Sequence, residues 1–160
     1  NQDDYYIEQV EPECRGMGTT MVAALVVGQN AYILNIGDSR CYLVQPDGIR
    51  RLTRDHSVVE DLVTRGKITP EQARQHPQKN LITRALGAEA QLRADLYRQA
   101  LSPGDALLLC SDGLSNVVTE QEVLYEVLHG GPAEDCCRRL LDIALLRGAP
   151  DNVTAVLLQM

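Results

Sequence analysis

Two short runs constrain this chain most. Asp105 to Cys110 and Val153 to Leu158 are almost wholly apolar, and a strand that is apolar on both faces has to be covered on both. That requires a layered sheet protein, and the other segments supply its layers. Met21 to Val27 and Ala31 to Ile36 are β-rich runs joined by Gly28-Gln29-Asn30, while Cys41 to Val44 and Ile49 to Leu52 flank Pro46-Asp47-Gly48; both pairs read as hairpins. Helices separate the strands of the second half. Thr119 and Glu122 form a capping box ahead of the stripe Val123, Leu124, Val127 and Leu128, with Gly130 placed to end the helix. The next helix starts at Pro132, turns Cys136, Cys137, Leu140, Leu141, Ala144 and Leu145 inward, and stops at Gly148. From Asp55 to Pro77 the pattern is weaker. Val58, Val59, Leu62 and Val63 suggest one short helix and Thr69-Pro70-Glu71-Gln72 starts another, so this polar excursion reads as a flap.

The chain has 160 residues, which predicts one domain over 1–160 with a sizeable core. Hydrophobic residues at 44% and charged residues at 23% exclude disordered, collagen-like and membrane-spanning classes. Phe and Trp are absent, so the core is aliphatic. Fifteen basic residues against 22 acidic ones give a net charge of −7, and the basic residues are scattered, which argues against nucleic-acid binding. Cys14, Cys41, Cys110, Cys136 and Cys137 are odd in number, form no C-x-x-C pair and sit mostly in apolar runs. They predict a reduced, cytoplasmic protein. No signal peptide and no membrane-length apolar run is present.

Four carboxylates stand where strands meet turns. Asp38 follows Ile36-Gly37, Asp112 follows Cys110-Ser111, Asp151 precedes the last strand, and Asp3 precedes the first. An aspartate at the mouth of a buried strand combines a fixed backbone with an exposed carboxylate, as a hard, oxygen-seeking cation requires. Each taken alone is equally an ordinary turn residue, the reading kept for Asp47 and Asp105. No Cys/His spacing suits zinc. His56 and His76 read as surface or cap residues, His129 as a helix-end residue. Ser39, Ser57 and Ser111 lack a triad arrangement, and Gly16-Met17-Gly18-Thr19-Thr20 lacks the lysine and the following helix of a phosphate loop.

Gly18-Thr19-Thr20, Gly37-Asp38-Ser39-Arg40, Leu52-Thr53-Arg54-Asp55-His56-Ser57, Ile82-Thr83-Arg84-Ala85-Leu86-Gly87, Ser111-Asp112-Gly113-Leu114 and Asp151-Asn152-Val153-Thr154 resemble, in order and spacing, successive motifs of the protein phosphatase 2C family of bacterial type. The resemblance implies an α+β fold, a two-layer antiparallel β-sandwich flanked by helices. It also implies manganese or magnesium ions in a cleft, where a metal-activated water hydrolyses phosphoserine or phosphothreonine in a phosphoprotein substrate. By the same resemblance, Asp112 and Asp151 would be ligands of the core metal site, and Asp38 would serve an accessory metal with Asp112. Asp3 would match the acidic position of an N-terminal Asn-Glu-Asp motif. His56 and Ser57 belong to the flap and substrate side.

The family places a longer segment with Asp-Gly-x-Gly-Gly between that motif and the Gly-Thr-Thr strand. Here only Tyr5 to Arg15 lies between, Gln2 replaces the glutamate, and Asn116 stands where some members have an acid. A shortened form with one helical layer reduced is therefore expected. Two functions stay open: an active metal-dependent phosphatase, and an inactive phosphatase-like domain that binds a phosphoprotein or partner; missing elements supplied by another chain are a third possibility. The reduced layer would bare apolar residues of Met21 to Ile36, such as Val22, Ala24, Val26, Tyr32, Leu34 and Ile36 or their opposite-face neighbours. This predicts a homodimer through stacked sheets.

Overall fold

The computed structural model describes residues 17–88 and 93–160. Its first sheet is the hairpin β1 (Met21–Val27) and β2 (Asn30–Ile36), with β5 (Asp95–Ala100) on the far side of β2. The second joins β3 (Arg40–Gln45), β4 (Gly48–Arg51), β6 (Ala106–Cys110) and β7 (Ala155–Gln159) in the order β4-β3-β6-β7. All pairings are antiparallel. Between the strands lie α1 (Val58–Thr64), α2 (Pro70–Arg74), α3 (Asp112–Ser115), α4 (Glu120–His129) and α5 (Ala133–Leu146).

Side chains alternate across a strand, and the middle strands of the second sheet use both faces. Cys41, Leu43 and Leu107 pack towards the first sheet, against Ala31, Ile33, Val22, Ala24 and Val26. Tyr42, Val44, Leu108 and Cys110 pack the other way, against Val123 and Val127 of α4 and Leu140 and Ala144 of α5. The apolar run of β6 therefore lies between two layers. The fold is the α+β sandwich expected, and the capping box of α4 is formed by Thr119 and Glu122.

Several local expectations are corrected. Among the described residues β7 has a strand partner on one side only, and Val156 and Leu158 are exposed rather than covered on both faces. Leu128 and Leu145 point out of their helices' buried stripes. The predicted bare face mixed two sides: Val22, Ala24 and Val26 belong to the core between the sheets. The open side instead carries Met21, Leu25 and Val27 with Tyr32 and Leu96, all exposed. Register puts them together, since Leu25 pairs Tyr32 and Leu34 pairs Leu96. β5 escaped the sequence reading because Asp-Leu-Tyr-Arg-Gln-Ala carries one large apolar residue on its inner face, Tyr97.

Leu108 is fully buried among aliphatic neighbours. Leu108→Ala should cost about 2–5 kcal/mol by leaving a cavity that rigid strands cannot close. Urea unfolding of the two proteins checks it.

Candidate functional site

The strand register gathers the acids at one end of the second sheet. Arg40 opens β3 opposite Cys110, the last residue of β6. Asp38, two residues before Arg40, and Asp112, two after Cys110, thus leave the sheet side by side. Cys110 also pairs Ala155, so the Asp151 turn enters β7 at the same end.

Close backbone approaches hold these turns. Gly37 has a φ of +97°, and a Cβ there would lie 2.4 Å from Thr20 Cγ2, so only glycine fits. The Thr20 and Ser39 hydroxyls hydrogen-bond at 2.8 Å across the same turn. At the other loop a Cβ on Gly113 would lie 2.3 Å from the carbonyl oxygen of Asn152. Ser111 fastens the two loops: its N–H donates to Thr154 O (3.1 Å), and its hydroxyl meets Asn152 O (3.2 Å) and accepts from Thr154 N–H (3.0 Å).

Asp38 and Asp112 line a cleft of about 420 Å³ together with Arg40, Asp55, Ser57 and Ser115. Burial, and then the nearby charge of Asp112, push the Asp38 carboxyl up from 3.8 to about 6. Arg40 does not relieve this strongly, because Asp55 holds it. Its Nε lies 3.1 Å from each Asp55 oxygen and Nη2 lies 2.6 Å from Oδ2. Burial works against the Arg40 charge, but the hydrogen bonds it donates to Asp55 outweigh this and keep the guanidinium protonated. Arg51 approaches the same carboxylate at 3.4 Å and reaches Glu60 of α1 at 3.0 Å.

The predicted site residues separate here. Asp38 and Asp112 share the cleft, whereas Asp151 is exposed beside it and its Oδ1 accepts the N–H of Asn152 at 2.7 Å. Ser57 lines the cleft but caps α1, accepting from Glu60 N–H at 3.3 Å. His56 is buried, not a surface or cap residue, and lies outside the cleft lining. Asp3 lies outside the described residues. Asn116 donates to Asp112 Oδ2 at 3.4 Å. Asp55 and Asp95 were missed as anchors. For Asp55 the signal was in the hairpin: extending the pairing of Tyr42 with Arg51 brings Arg40 to Thr53, one turn from Asp55.

The donor chemistry suits a hard divalent cation: two carboxylates, one of them disfavoured by burial and then by the other's charge, and a Ser115 hydroxyl that is buried without a partner among the described residues. Among the described residues no group of three His, Cys, Asp or Glu is close enough to hold an ion by itself. The cleft therefore supplies part of a ligand set.

The Protein phosphatase 2C family model matches residues 2–62. The structure of a Ser-Thr phosphatase from Mycobacterium smegmatis, in complex with cacodylate, superimposes with a TM-score of 0.86 at 34% identity, over 99% of this chain and 70% of that one. The chain belongs to the protein phosphatase 2C family. The serine/threonine phosphatase stp of Listeria innocua is 39% identical over 99% of this chain. The crystal structure of the Staphylococcus aureus phosphatase Stp1 has a TM-score of 0.95 at 40% identity over 99% of it. The chain spans 63% of the Listeria protein and 62% of the Staphylococcus chain. A further family structure, the catalytic domain of PstP in complex with two manganese ions, has a TM-score of 0.88 at 37% identity.

Because the folded Asp38 value lies above the ordinary one, its charge costs stability at neutral pH, and that cost is relieved as pH falls through 6 towards 4. With chelator present at pH 7, Asp38→Asn should stabilise the fold by about 1–2 kcal/mol after allowance for solvent screening. The gain should shrink towards pH 4. Thermal unfolding across this range measures both.

Proposed function

We propose that this chain hydrolyses phosphoserine or phosphothreonine in proteins with manganese or magnesium ions. The observation that carries the reading is the strained Asp38–Asp112 pair in a cleft on the fold of serine/threonine phosphatases. Asp112 would hold the core ion with Asp151, Asp38 would share an accessory ion with Asp112, and Asp3 would add a further carboxylate. Bound there, a divalent cation lowers the pKa of water and neutralises phosphoryl charge. The protein's own part is positional. The Ser111 bonds keep the Asp112 and Asp151 turns in one frame, and Arg40, held by Asp55, keeps positive charge at the cleft wall. Arg74 and Lys79 carry positive charge to the cleft from the flap side, where a phosphoprotein chain would lie, with Ser57 at the root of the flap.

The incomplete ligand set among the described residues supports the second reading, a domain that binds phosphoprotein without turnover. We place the protein in the cytoplasm as a single domain over 1–160. No helix among the described residues is long and apolar enough to cross a membrane.

Manganese titrated into the purified chain should elicit hydrolysis of an aryl phosphate and of a phosphothreonine peptide, and chelator should abolish it. Asp112→Asn should weaken manganese binding at least about tenfold, ~1.4 kcal/mol by calorimetry. Phosphopeptide binding that survives chelation without turnover would establish the binding domain instead.

The open face of Met21, Leu25, Val27, Tyr32 and Leu96 is proposed to stack on a second copy. Sedimentation at micromolar concentration should show a dimer for the wild type and a monomer for Leu25→Lys; a wild-type monomer would refute the dimer.

A further inference from the structure

His56 is a buried polar group beside the acidic turns, with a side chain 5% exposed. Its Nδ1 lies 3.1 Å from the N of Gly37. A backbone amide can only donate, so Nδ1 carries no proton and the ring's proton sits on Nε2. Nε2 faces an acceptor, Asp95 Oδ2, at 3.1 Å. Arg84 Nη1 is 3.2 Å from the same nitrogen, but donor faces donor there, and Arg84 finds its acceptor in Asp95 Oδ1 at 3.0 Å.

Asp95 is itself fixed. Partial burial raises its carboxyl, but the hydrogen bond from His56 and the Arg84 guanidinium outweigh this and hold it below the usual range. Tyr97 donates to Oδ2 at 3.3 Å, and the Tyr97 oxygen accepts from Arg54 N–H at 3.2 Å. At the other end His56 holds Gly37 twice, through the ring and through its own N–H, which donates to Gly37 O at 2.9 Å. The N–H of Gly37 belongs to the peptide plane before it and the C=O to the plane leading into Asp38. His56 thus acts on both planes, joined at Gly37 O by the Nδ2 of buried Asn35 at 3.3 Å, while Thr20 blocks the opposite side of the turn. A histidine oriented by a carboxylate to fix a metal ligand is a familiar device; here a backbone amide takes the place of the metal.

We propose that His56 is a positioning residue for the Asp38 carboxylate, locked as its Nε2–H tautomer between Asp95 on β5 and the Gly37 amide. The tautomer and the tether stand on this geometry; the effect on turnover rests on the phosphatase reading. His56 is not a general base, since both ring nitrogens are engaged away from the cleft.

Side-chain nitrogen NMR of the full chain tests the tautomer directly. The expected result is a bare Nδ1, a protonated Nε2 and a coupling from the Gly37 amide across to Nδ1; a protonated Nδ1 overturns the proposal. Two variants then test the tether. His56→Asn keeps an acceptor at the place of Nδ1, whereas His56→Gln moves its polar end towards Asp95 and releases the Gly37 N–H, the bonds to Gly37 O remaining in both. The glutamine variant should lose about 10- to 100-fold in manganese affinity by calorimetry and in kcat on an aryl phosphate, with KM nearly unchanged, and the asparagine variant should recover most of both. Equal losses in the two, or unchanged manganese affinity in the glutamine variant, would overturn the positioning role. Should His56→Gln not fold, Asp95→Ala decides: it leaves the ring in place but frees Nε2, so a mixed tautomer with weakened manganese binding supports the tether and an unaltered one refutes it. Absence of turnover in the wild type would count against the phosphatase reading alone, because tautomer and metal affinity are read without it.

Discussion

The pairing of β3 with β6 carries the rest of the molecule. Those strands are buried on both faces, by the first sheet and by α4 and α5, so their peptide groups have no water to turn to and must satisfy one another along the ladder. Each buried leucine contributes on the order of 1.5–3 kcal/mol, and Leu43, Leu107 and Leu108 all lie in this pair. The chain can meet solvent only where the strands run out. Polar chemistry is thereby confined to the strand ends, and the antiparallel register puts the ends that carry Asp38 and Asp112 together. The Asp38 carboxylate so placed opposes stability, and the aliphatic layers on either side tolerate that cost.

Much of this architecture was legible because it depends on local periodicity. Double-sided burial wrote itself into Ala106 to Cys110 as an unbroken apolar run, and the α4 cap needed only Thr119 and Glu122 at the right spacing. What depended on partners distant in sequence was not legible. β7 has the same apolar character as β6 but pairs on one side only among the described residues, and Val156 and Leu158 meet solvent. β5 is held by its register with β2 rather than by its own pattern. Among the acids, the strand-mouth argument located Asp38 and Asp112, but it could not foresee that Asp151 Oδ1 accepts from the N–H of Asn152. His56 read as a surface or cap residue because its two partners, Gly37 after β2 and Asp95 at the start of β5, lie far from it in sequence and are brought together only by the register of those strands.

The charged groups around the cleft divide the work differently from the core. Asp55 is buried and binds Arg40 through both oxygens, while Arg51 spans from it to Glu60. Arg54 continues the series to Asp61 at 2.9 Å. A buried pair of this kind adds little net stability, since desolvation offsets much of the attraction, but removing one partner strands the other charge. Its effect is to fix the first turn of α1 to the rim of the second sheet.

Beyond that rim, α1 and α2 contain no fully buried residue, and the segment rejoins the sandwich where Leu86 bridges Thr19, ahead of β5. Its two ends are thus held by the sheets while its middle contributes almost nothing to the core. Closing such an excursion costs entropy that grows only with the logarithm of its length, roughly 0.6 kcal/mol for each doubling. The sandwich is accordingly indifferent to how long this segment is or what it carries between its anchors. Residues that meet a substrate can be exchanged, inserted or lost there over evolutionary time with the acidic turns left undisturbed, so target choice and chemistry are free to diverge independently.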